Sequence, residues 1–305
     1  MSSRVGLEAV GPAQAALVAQ VATEAARARD PHATAVGELE ALERLTSPVN
    51  EVRAALLASA SGSPVGVVSV ETDFLARRQR VQLDSLPGSE CLPAAFEFIE
   101  PLLRPAFALE FAVDAADEAL RIALSALGYS RKRELRRLRL EFKQHPMPLP
   151  PLDSRLVPVA SRADFEQCHA VQQSSFAGHP GFTPEPFERW LRRTVESPAF
   201  DASGLLLLRL GGNPIGFVEF TDRHRHRGSG YVHGIGVVPE FRARGWGQLL
   251  LDSALRASAE KGCSALELLV DCANSSGAQE LYHKAGFEAV GSTELWESPK
   301  SLTIG

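Results

Sequence analysis

A short basic turn between a strand-like segment and a helix-like segment is the clearest chemical feature of this chain. The turn runs from Arg242 through Ala243, Arg244, Gly245 and Trp246 to Gly247. Backbone N–H groups at the start of a helix have no internal partners and carry a partial positive charge. Glycines let an anion approach the main chain without a Cβ in the way. The turn therefore predicts an anion site, and our hypothesis is that it holds a pyrophosphate.

The wider pattern around this turn distinguishes it from other phosphate-binding loops. It reads P-x-x-R-x-R-G-x-G-x-x-L from Pro239 to Leu250. The third glycine of a dinucleotide fingerprint and the lysine of a P-loop are both missing from it. The alternative interpretation is a turn whose arginines only solvate the start of a helix.

A second motif follows at residues 270–287, with the sequence VDCANSSGAQELYHKAGF. It predicts a strand end, a loop carrying Asn274, and a helix carrying Tyr282 that ends at Gly286-Phe287. In their order and spacing the two motifs together resemble the GNAT superfamily of acyl-CoA-dependent N-acetyltransferases, over about residues 154–305.

This resemblance implies acetyl-CoA as a co-substrate and assigns it a binding site. The pantetheine arm would pair with the main chain of Ile235, Gly236 and Val237 as if it were an added strand. The amides from Arg242 to Gly247 would hold the pyrophosphate, and Asn274 would hydrogen-bond the pantetheine. No metal is implied.

The resemblance also implies direct transfer to an amine in a ternary complex. The leaving thiolate, whose thiol has a pKa of about 8.5, leaves more easily when a neighbour protonates it. Tyr282 is the predicted general acid, and a half-buried aromatic on a helix face is the alternative interpretation. A strand N–H, that of Val237, would meet the oxyanion.

The group that deprotonates the amine is left open between two side chains and a water chain. An alkyl ammonium ion with a pKa of about 10.4 is protonated at pH 7 and must lose a proton before attack. His233 lies on the predicted strand face shared with Ile235 and Val237, and it matches a histidine used as proton acceptor in the superfamily. Glu219, on the preceding hairpin strand, is the competitor, with a solvent-facing glutamate as its alternative interpretation.

The predicted fold is mixed α/β, a mostly antiparallel sheet flanked by helices, occurring as two tandem GNAT-like domains. Both halves follow the order helices, hairpin, strand, helix, strand, helix, strand. The predicted boundaries are 1–143 for a degenerate first domain, 144–153 for a proline-rich linker and 154–305 for the catalytic domain. The tandem arrangement is similar to that of the mycothiol synthases.

The first half departs from the family pattern at both motifs. It has no R-x-x-G-x-G between Val81 and Leu92, and Leu124 stands where Tyr282 stands in the second half. We expect that it neither binds acetyl-CoA tightly nor catalyses, and that it packs against the second domain and shapes the acceptor site.

Composition limits the partners of this chain of 305 residues. The net charge of −5, from 32 Lys and Arg against 37 Asp and Glu, argues against general nucleic-acid binding. No signal peptide or membrane segment is evident, so we expect a cytoplasmic protein, as monomer or homodimer, with a small-molecule or peptide amine as acceptor. A non-catalytic acyl-CoA-binding or sensing module is the alternative function.

Three further segments carry predictions of local structure. Residues 6–29 have helical spacing and are rich in alanine. Arg137, Arg139 and Glu141 share one face of a predicted strand, which we interpret as solvated. The basic run from Arg223 to Arg227 predicts a solvated loop, with binding of an acidic substrate or of a CoA phosphate as the alternative.

Overall fold

A computed structural model describes residues 5–88, 90–142, 155–221, 223–274 and 276–299. The chain divides into two compact units, residues 1–135 with 292–305 and residues 136–291. The predicted linker at 144–153 lies outside the described residues, and the predicted domain boundaries stay a prediction. Among the described helices, none is both long and apolar enough to cross a bilayer.

Among its described residues, the first unit has five strands that lie wholly within it and four α-helices. The strands are β1 (Gly6–Val10), β2 (Glu51–Ala58), β3 (Pro64–Asp73), β4 (Arg78–Ser85) and β5 (Ala108–Asp114). The helices are α1 (Ala15–Arg29), α2 (Glu38–Leu45), α3 (Cys91–Ile99) and α4 (Glu118–Ala126). Neighbouring strands are antiparallel except β4 and β5, which are parallel.

The second unit repeats this plan. Its strands are β7 (Leu156–Pro158), β8 (Leu205–Leu210), β9 (Asn213–Thr221), β10 (Ser229–Val237) and β11 (Ala265–Asp271). Its helices are α5 (Arg162–Phe176), α6 (Phe187–Val195), α7 (Trp246–Glu260) and α8 (Ala278–Lys284). Here β10 and β11 form the parallel pair, while β9 is antiparallel to β8 and β10.

Two long strands run from one unit into the other, β6 (Ser130–Glu141) and β12 (Glu288–Glu297). The end of β12, from Thr293 to Glu297, pairs antiparallel with β5 of the first unit. The end of β6 lies beside β11 in the sheet of the second unit. The sheet of the first unit therefore includes the end of β12, which follows α8 in sequence. The sheet of the second unit includes the end of β6, which follows α4.

Residues 6–29 do not form one helix, so that prediction is wrong for the first five residues. Gly6–Val10 form strand β1, which pairs along the edge of β2 from Gly6↔Ala58 to Val10↔Ala54. Helix α1 begins only at Ala15, after Gly11 and Pro12. Backbone pairing to an open sheet edge outweighs a helical propensity of at most a few tenths of a kcal/mol per residue.

The two halves share a detail that supports internal duplication. In α8 the N–H of Phe287 donates to the carbonyl of Tyr282 at 3.0 Å, and in α4 the N–H of Tyr129 donates to the carbonyl of Leu124 at 3.0 Å. Glycines with positive φ, Gly128 at 82° and Gly286 at 89°, close both helices. Leu124 therefore occupies the position of Tyr282, as the sequence predicts.

Candidate active site

The start of α7 has the open backbone that an anion site needs. Ala243 and Gly245 have positive φ values of 57° and 85°, and no side chain caps the helix at Gly245. A Cβ added at Gly245 would meet nothing within 4 Å, whereas one at Gly247 would lie 3.3 Å from Leu281 Cδ2 of α8. The uncapped amides are therefore accessible, and the start of α7 lies against the helix that carries Tyr282.

The side chain of Arg242 has a role that the sequence did not indicate. Its Nε donates to the carbonyl of Val237 at 3.1 Å, and its Nη2 donates to the carbonyl of Ser175 at 2.7 Å. The planar guanidinium can satisfy two carbonyls at once. Arg242 therefore joins the end of β10 to the end of α5 and fixes the turn in which it lies.

Strands β10 and β11 part where the acyl chain is expected. Their parallel register runs from Ser229↔Ala265 to Val232↔Leu268. Beyond it, Gly234 to Val237 pair with β9, after a bulge between Val232 and Gly234. In the described part of the chain, this stretch of β10 thus presents a backbone edge that β11 does not use. An extended pantetheine arm could add to such an edge.

The bulge changes the predicted position of His233. An unbroken strand would place His233 on the same face as Ile235 and Val237. Instead Ile235 and Val237 pack against the core cluster of α7, while His233 is exposed beside Tyr231, with the two rings 6.4 Å apart. The prediction of a shared face is wrong because a bulge breaks the alternation of the strand.

Glu219 lies opposite Gly234 across the β9–β10 ladder and is only 7% exposed. The interpretation of a solvent-facing glutamate is therefore wrong. Its charge reaches Cys168 of α5, where burial first and Glu219 second raise the pKa of the thiol. Past the last β10–β11 pair, Leu269 of β11 leaves an apolar side chain 43% exposed.

Tyr282 lies on the other side of the sheet, within the core cluster of α7 and α8. It is 5% exposed, and its ring lies 5.8 Å from that of Phe287. The interpretation of a half-buried aromatic is therefore wrong, since the residue is buried. Burial raises the pKa of the Tyr282 phenol, which keeps it protonated at neutral pH.

Asn274 lies in the loop between β11 and α8. Its side-chain carbonyl accepts a hydrogen bond from the N–H of Ser276 at 2.8 Å. The side-chain amide group is the part of Asn274 that can donate to a ligand. This direction suits a carbonyl of the pantetheine arm.

The basic run after β9 is solvated only at Arg225 and His226, so the prediction of a solvated loop is wrong for the side chains that turn inward. His224 Nδ1 and Arg227 Nη2 each lie 2.9 Å from Glu267 Oε2 of β11, and Arg139 Nη1 lies 2.5 Å from Glu267 Oε1. Burial would raise the pKa of Glu267, but the hydrogen bond from His224 and the charge of Arg227 hold it well below its usual value. Arg139 is therefore a partner of this buried carboxylate, and its interpretation as part of a solvated strand face is also wrong.

The first unit has a different arrangement at the corresponding strand end. Its parallel pairing also stops early, at Gln82↔Ala112. Arg29 Nη1 donates to the carbonyl of Ser85 at 2.9 Å and lies 2.9 Å from Asp117 Oδ2. The Arg29 side chain is 9% exposed, so buried charged groups lie where the second unit leaves an open edge.

Comparisons with known proteins agree with this geometry. Residues 167–287 match the profile of the Acetyltransferase (GNAT) family. N-alpha-acetyltransferase RimI of Mycobacterium tuberculosis is 33% identical over 132 residues, which cover 43% of this chain and 77% of that protein. The chain belongs to the GNAT acetyltransferase family.

Two further relatives of this GNAT chain concern its arrangement. Mycothiol acetyltransferase of Propionibacterium freudenreichii subsp. shermanii is 34% identical over 143 residues, covering 45% of this chain and 43% of that protein. The chain spans about half the length of the curated mycothiol acetyltransferases it matches, 43% and 58% for two of them. A tandem GNAT protein from the clavulanic acid biosynthesis pathway aligns with a TM-score of 0.70 at 16% identity, over 97% of this chain and 98% of that one. The predicted tandem fold is confirmed.

Proposed function

We propose that this chain transfers an acetyl group from acetyl-CoA to a primary amine of a small molecule or peptide, by direct attack in a ternary complex. The observation that carries the proposal is the uncapped start of α7, which lies beside both the open edge of β10 and the helix of Tyr282. Pyrophosphate at the amides of Arg242 to Gly247 would direct the pantetheine arm along Ile235 to Val237. Asn274 would donate to the arm from the other side.

Tyr282 is suited to protonate the departing thiolate. A buried phenol with a raised pKa stays protonated at neutral pH, so it has a proton to give to the thiolate. Its place among the core residues of α7 and α8 puts it on one face of the opening between β10 and β11. The N–H of Val237 is proposed to meet the oxyanion that develops on the same edge.

The amine would approach from the opposite face, since α7 and α8 fill the face that carries Tyr282. The sequence-based candidates for deprotonating it, His233 and Glu219, lie on β10 and β9 near the bulge. One is exposed and the other buried. Both stay predictions as proton acceptors.

The names of the relatives indicate two classes of acceptor to test first. One relative is a mycothiol acetyltransferase and another an N-alpha-acetyltransferase, so we propose a thiol-precursor amine or a peptide N-terminus. The test is an assay of the chain with acetyl-CoA and a panel of amines, in which the release of free thiol is measured. The panel contains both classes together with aminoglycosides and polyamines. Thiol release that depends on one class of amine supports it.

A non-catalytic acyl-CoA-binding module is the second function, and the retained phenol of Tyr282 argues against it. A sensor needs the anion site but no general acid. Titration calorimetry with CoA separates the two functions. Tight binding without transfer to any member of the panel would establish the sensor and exclude the enzyme.

A further inference from the structure

The end of α5 and the turn that follows it hold two buried polar atoms without a hydrogen-bond partner among the described residues, Ser175 Oγ in the helix and His179 Nε2 in the turn. The turn itself is well defined. The N–H of His179 donates to the carbonyl of Phe176 at 3.0 Å, and the N–H of Phe182 donates to the carbonyl of His179 at 3.1 Å. Buried polar atoms in folded proteins are nearly always paired, so these two need a partner.

The end of α5 lies against the open part of β10, and the turn is joined to it through Phe176. A Cβ added at Gly236 would lie 2.7 Å from Ser175 Cβ and 3.0 Å from Ser175 Oγ. The ring of Phe176 lies 5.4 Å from that of His179 and 5.9 Å from that of Phe217. Phe217 in turn contacts the position that a Cβ of Gly236 would take, at 2.8 Å.

The turn and Tyr282 lie on opposite faces of the sheet. Ile235 packs into the core cluster that contains Tyr282, while the neighbouring Gly236 faces Ser175. Side chains of adjacent strand residues alternate between faces. The orphaned atoms therefore lie on the face from which an amine can reach a thioester held at β10.

We propose that His179 is the proton acceptor of the transfer, taking a proton from the acceptor's ammonium group at Nε2. This inference rests on the proposed function and adds a residue to it. The Ser175 hydroxyl, in a residue 2% exposed, is the second polar group on this face that lacks a partner among the described residues.

The charges around His179 suit this role. Burial first and the charge of Arg242 second lower the pKa of His179, while the charge of Asp271 opposes them. Arg242 lies in the turn before α7 and Asp271 at the end of β11, so both neighbouring elements contribute. A neutral imidazole at pH 7 can accept a proton. The same guanidinium charge lowers the pKa of an ammonium ion bound beside it.

The ammonium ion gives one proton to His179 Nε2, and its nitrogen then bonds to the thioester carbon. The carbon–sulfur bond breaks, and the thiolate takes the phenol proton of Tyr282. The second proton of the attacking nitrogen returns to the phenolate through solvent, the third stays on the amide, and His179 releases its proton to water.

The test is the pH dependence of kcat at saturating acetyl-CoA and amine, with the acceptor found in the screen. A His base must be unprotonated, so activity falls as the pH drops through its pKa, which we expect below about 6.5. His179→Gln keeps a hydrogen-bonding group but cannot take a proton. It should lower kcat by about 10²- to 10⁴-fold and remove the acidic limb. His32→Gln, an exposed histidine of the first unit, is the matched control and should change neither.

A second variant keeps the inference testable if His179→Gln misfolds, as judged by its affinity for CoA. Asp271→Asn removes the charge that raises the pKa of His179, so the limb should move to lower pH with the folded protein intact. A limb that survives in His179→Gln, or that disappears in His233→Gln or Glu219→Gln instead, overturns the assignment. In either case a wild-type chain that transfers acetyl groups leaves the proposed function standing.

Discussion

Replacing Glu267 by glutamine should destabilise the second unit more than any exposed charge change in it. The carboxylate is 2% exposed and accepts from His224, Arg227 and Arg139 at distances of 2.9, 2.9 and 2.5 Å. Glutamine fills the same volume but leaves the cations without a compensating charge. Removing one partner of a buried charge network costs about 3–5 kcal/mol. That is a large part of the about 5–15 kcal/mol by which a domain is stable.

The assay is denaturant unfolding of the full chain at pH 7, followed by tryptophan fluorescence. Glu260→Gln is the matched control, because Glu260 is 56% exposed and pairs with Arg256 of its own helix at 2.8 Å. An exposed pair of this kind contributes about 0.3–0.5 kcal/mol. A loss of stability in Glu267→Gln within about 1 kcal/mol of that control would refute the reasoning.

Wild type and Glu267→Gln should also differ in how their stability depends on pH. The pKa of Glu267 is depressed in the folded state, so its stabilisation is present above its unfolded pKa of about 4.3 and declines as the pH falls below that value. The difference between wild type and Glu267→Gln should therefore be constant from pH 7 to about pH 5.5 and shrink below about pH 4.3. A difference that grows as the pH falls would contradict the assignment.

Three further outcomes are expected. Tyr282→Phe should lower kcat by about 10²-fold or more in an assay of thiol release. Wild type should keep its activity up to about pH 10, because burial raises the pKa of the phenol. An unchanged kcat of Tyr282→Phe across pH 6–9 would show that Tyr282 is not the general acid. Gly247→Val should raise the KM for acetyl-CoA by about 10-fold or more, since even a Cβ there lies 3.3 Å from Leu281, and an unaltered KM would place the pyrophosphate elsewhere. Calorimetry should give one CoA per chain, because Arg29 occupies the strand end of the first unit, and two sites in wild type would contradict this prediction.

The sequence predicts the parts of the fold whose signals are local. A turn of two glycines between an apolar strand and a leucine-rich helix is enough to place β10 and α7. The motif at residues 270–287 similarly places β11 and α8, since it contains the end of a strand, a loop with Asn274 and a helix that ends at Gly286. The hairpin of β8 and β9 is likewise predicted, since two apolar runs lie next to each other in the sequence.

What the sequence could not predict depends on contacts between distant segments. Strand β1 forms because an edge of β2 is available, and nothing within residues 6–10 indicates that edge. The bulge beside His233 depends on how β9 and β10 align, which a single strand cannot encode. The pairing of β12 with β5 and of β6 with β11 likewise cannot be predicted from the sequence of any one of these strands.

The buried network of Glu267 shows the same limit in electrostatic terms. A basic run of five residues is typical of a solvated loop when its partner is unknown. Here the partner carboxylate lies 40 residues later, on an interior strand, and turns two of those side chains inward. Only the fold brings the opposite charges together, so the burial of His224 and Arg227 could not be recognised from the composition of the loop.

Arg242 connects the two sides of the candidate site, and this explains why an arginine suits that place in the turn. The guanidinium bonds the carbonyl of Val237, beside the proposed anion site, and the carbonyl of Ser175, beside the turn that carries His179. A lysine is a single point charge and could not satisfy both carbonyls with one fixed geometry. The same group that orders the start of α7 therefore fixes the end of α5 and, after burial, is the second cause that lowers the pKa of His179. In the proposed mechanism, binding of the co-substrate and deprotonation of the acceptor would therefore both depend on this one side chain.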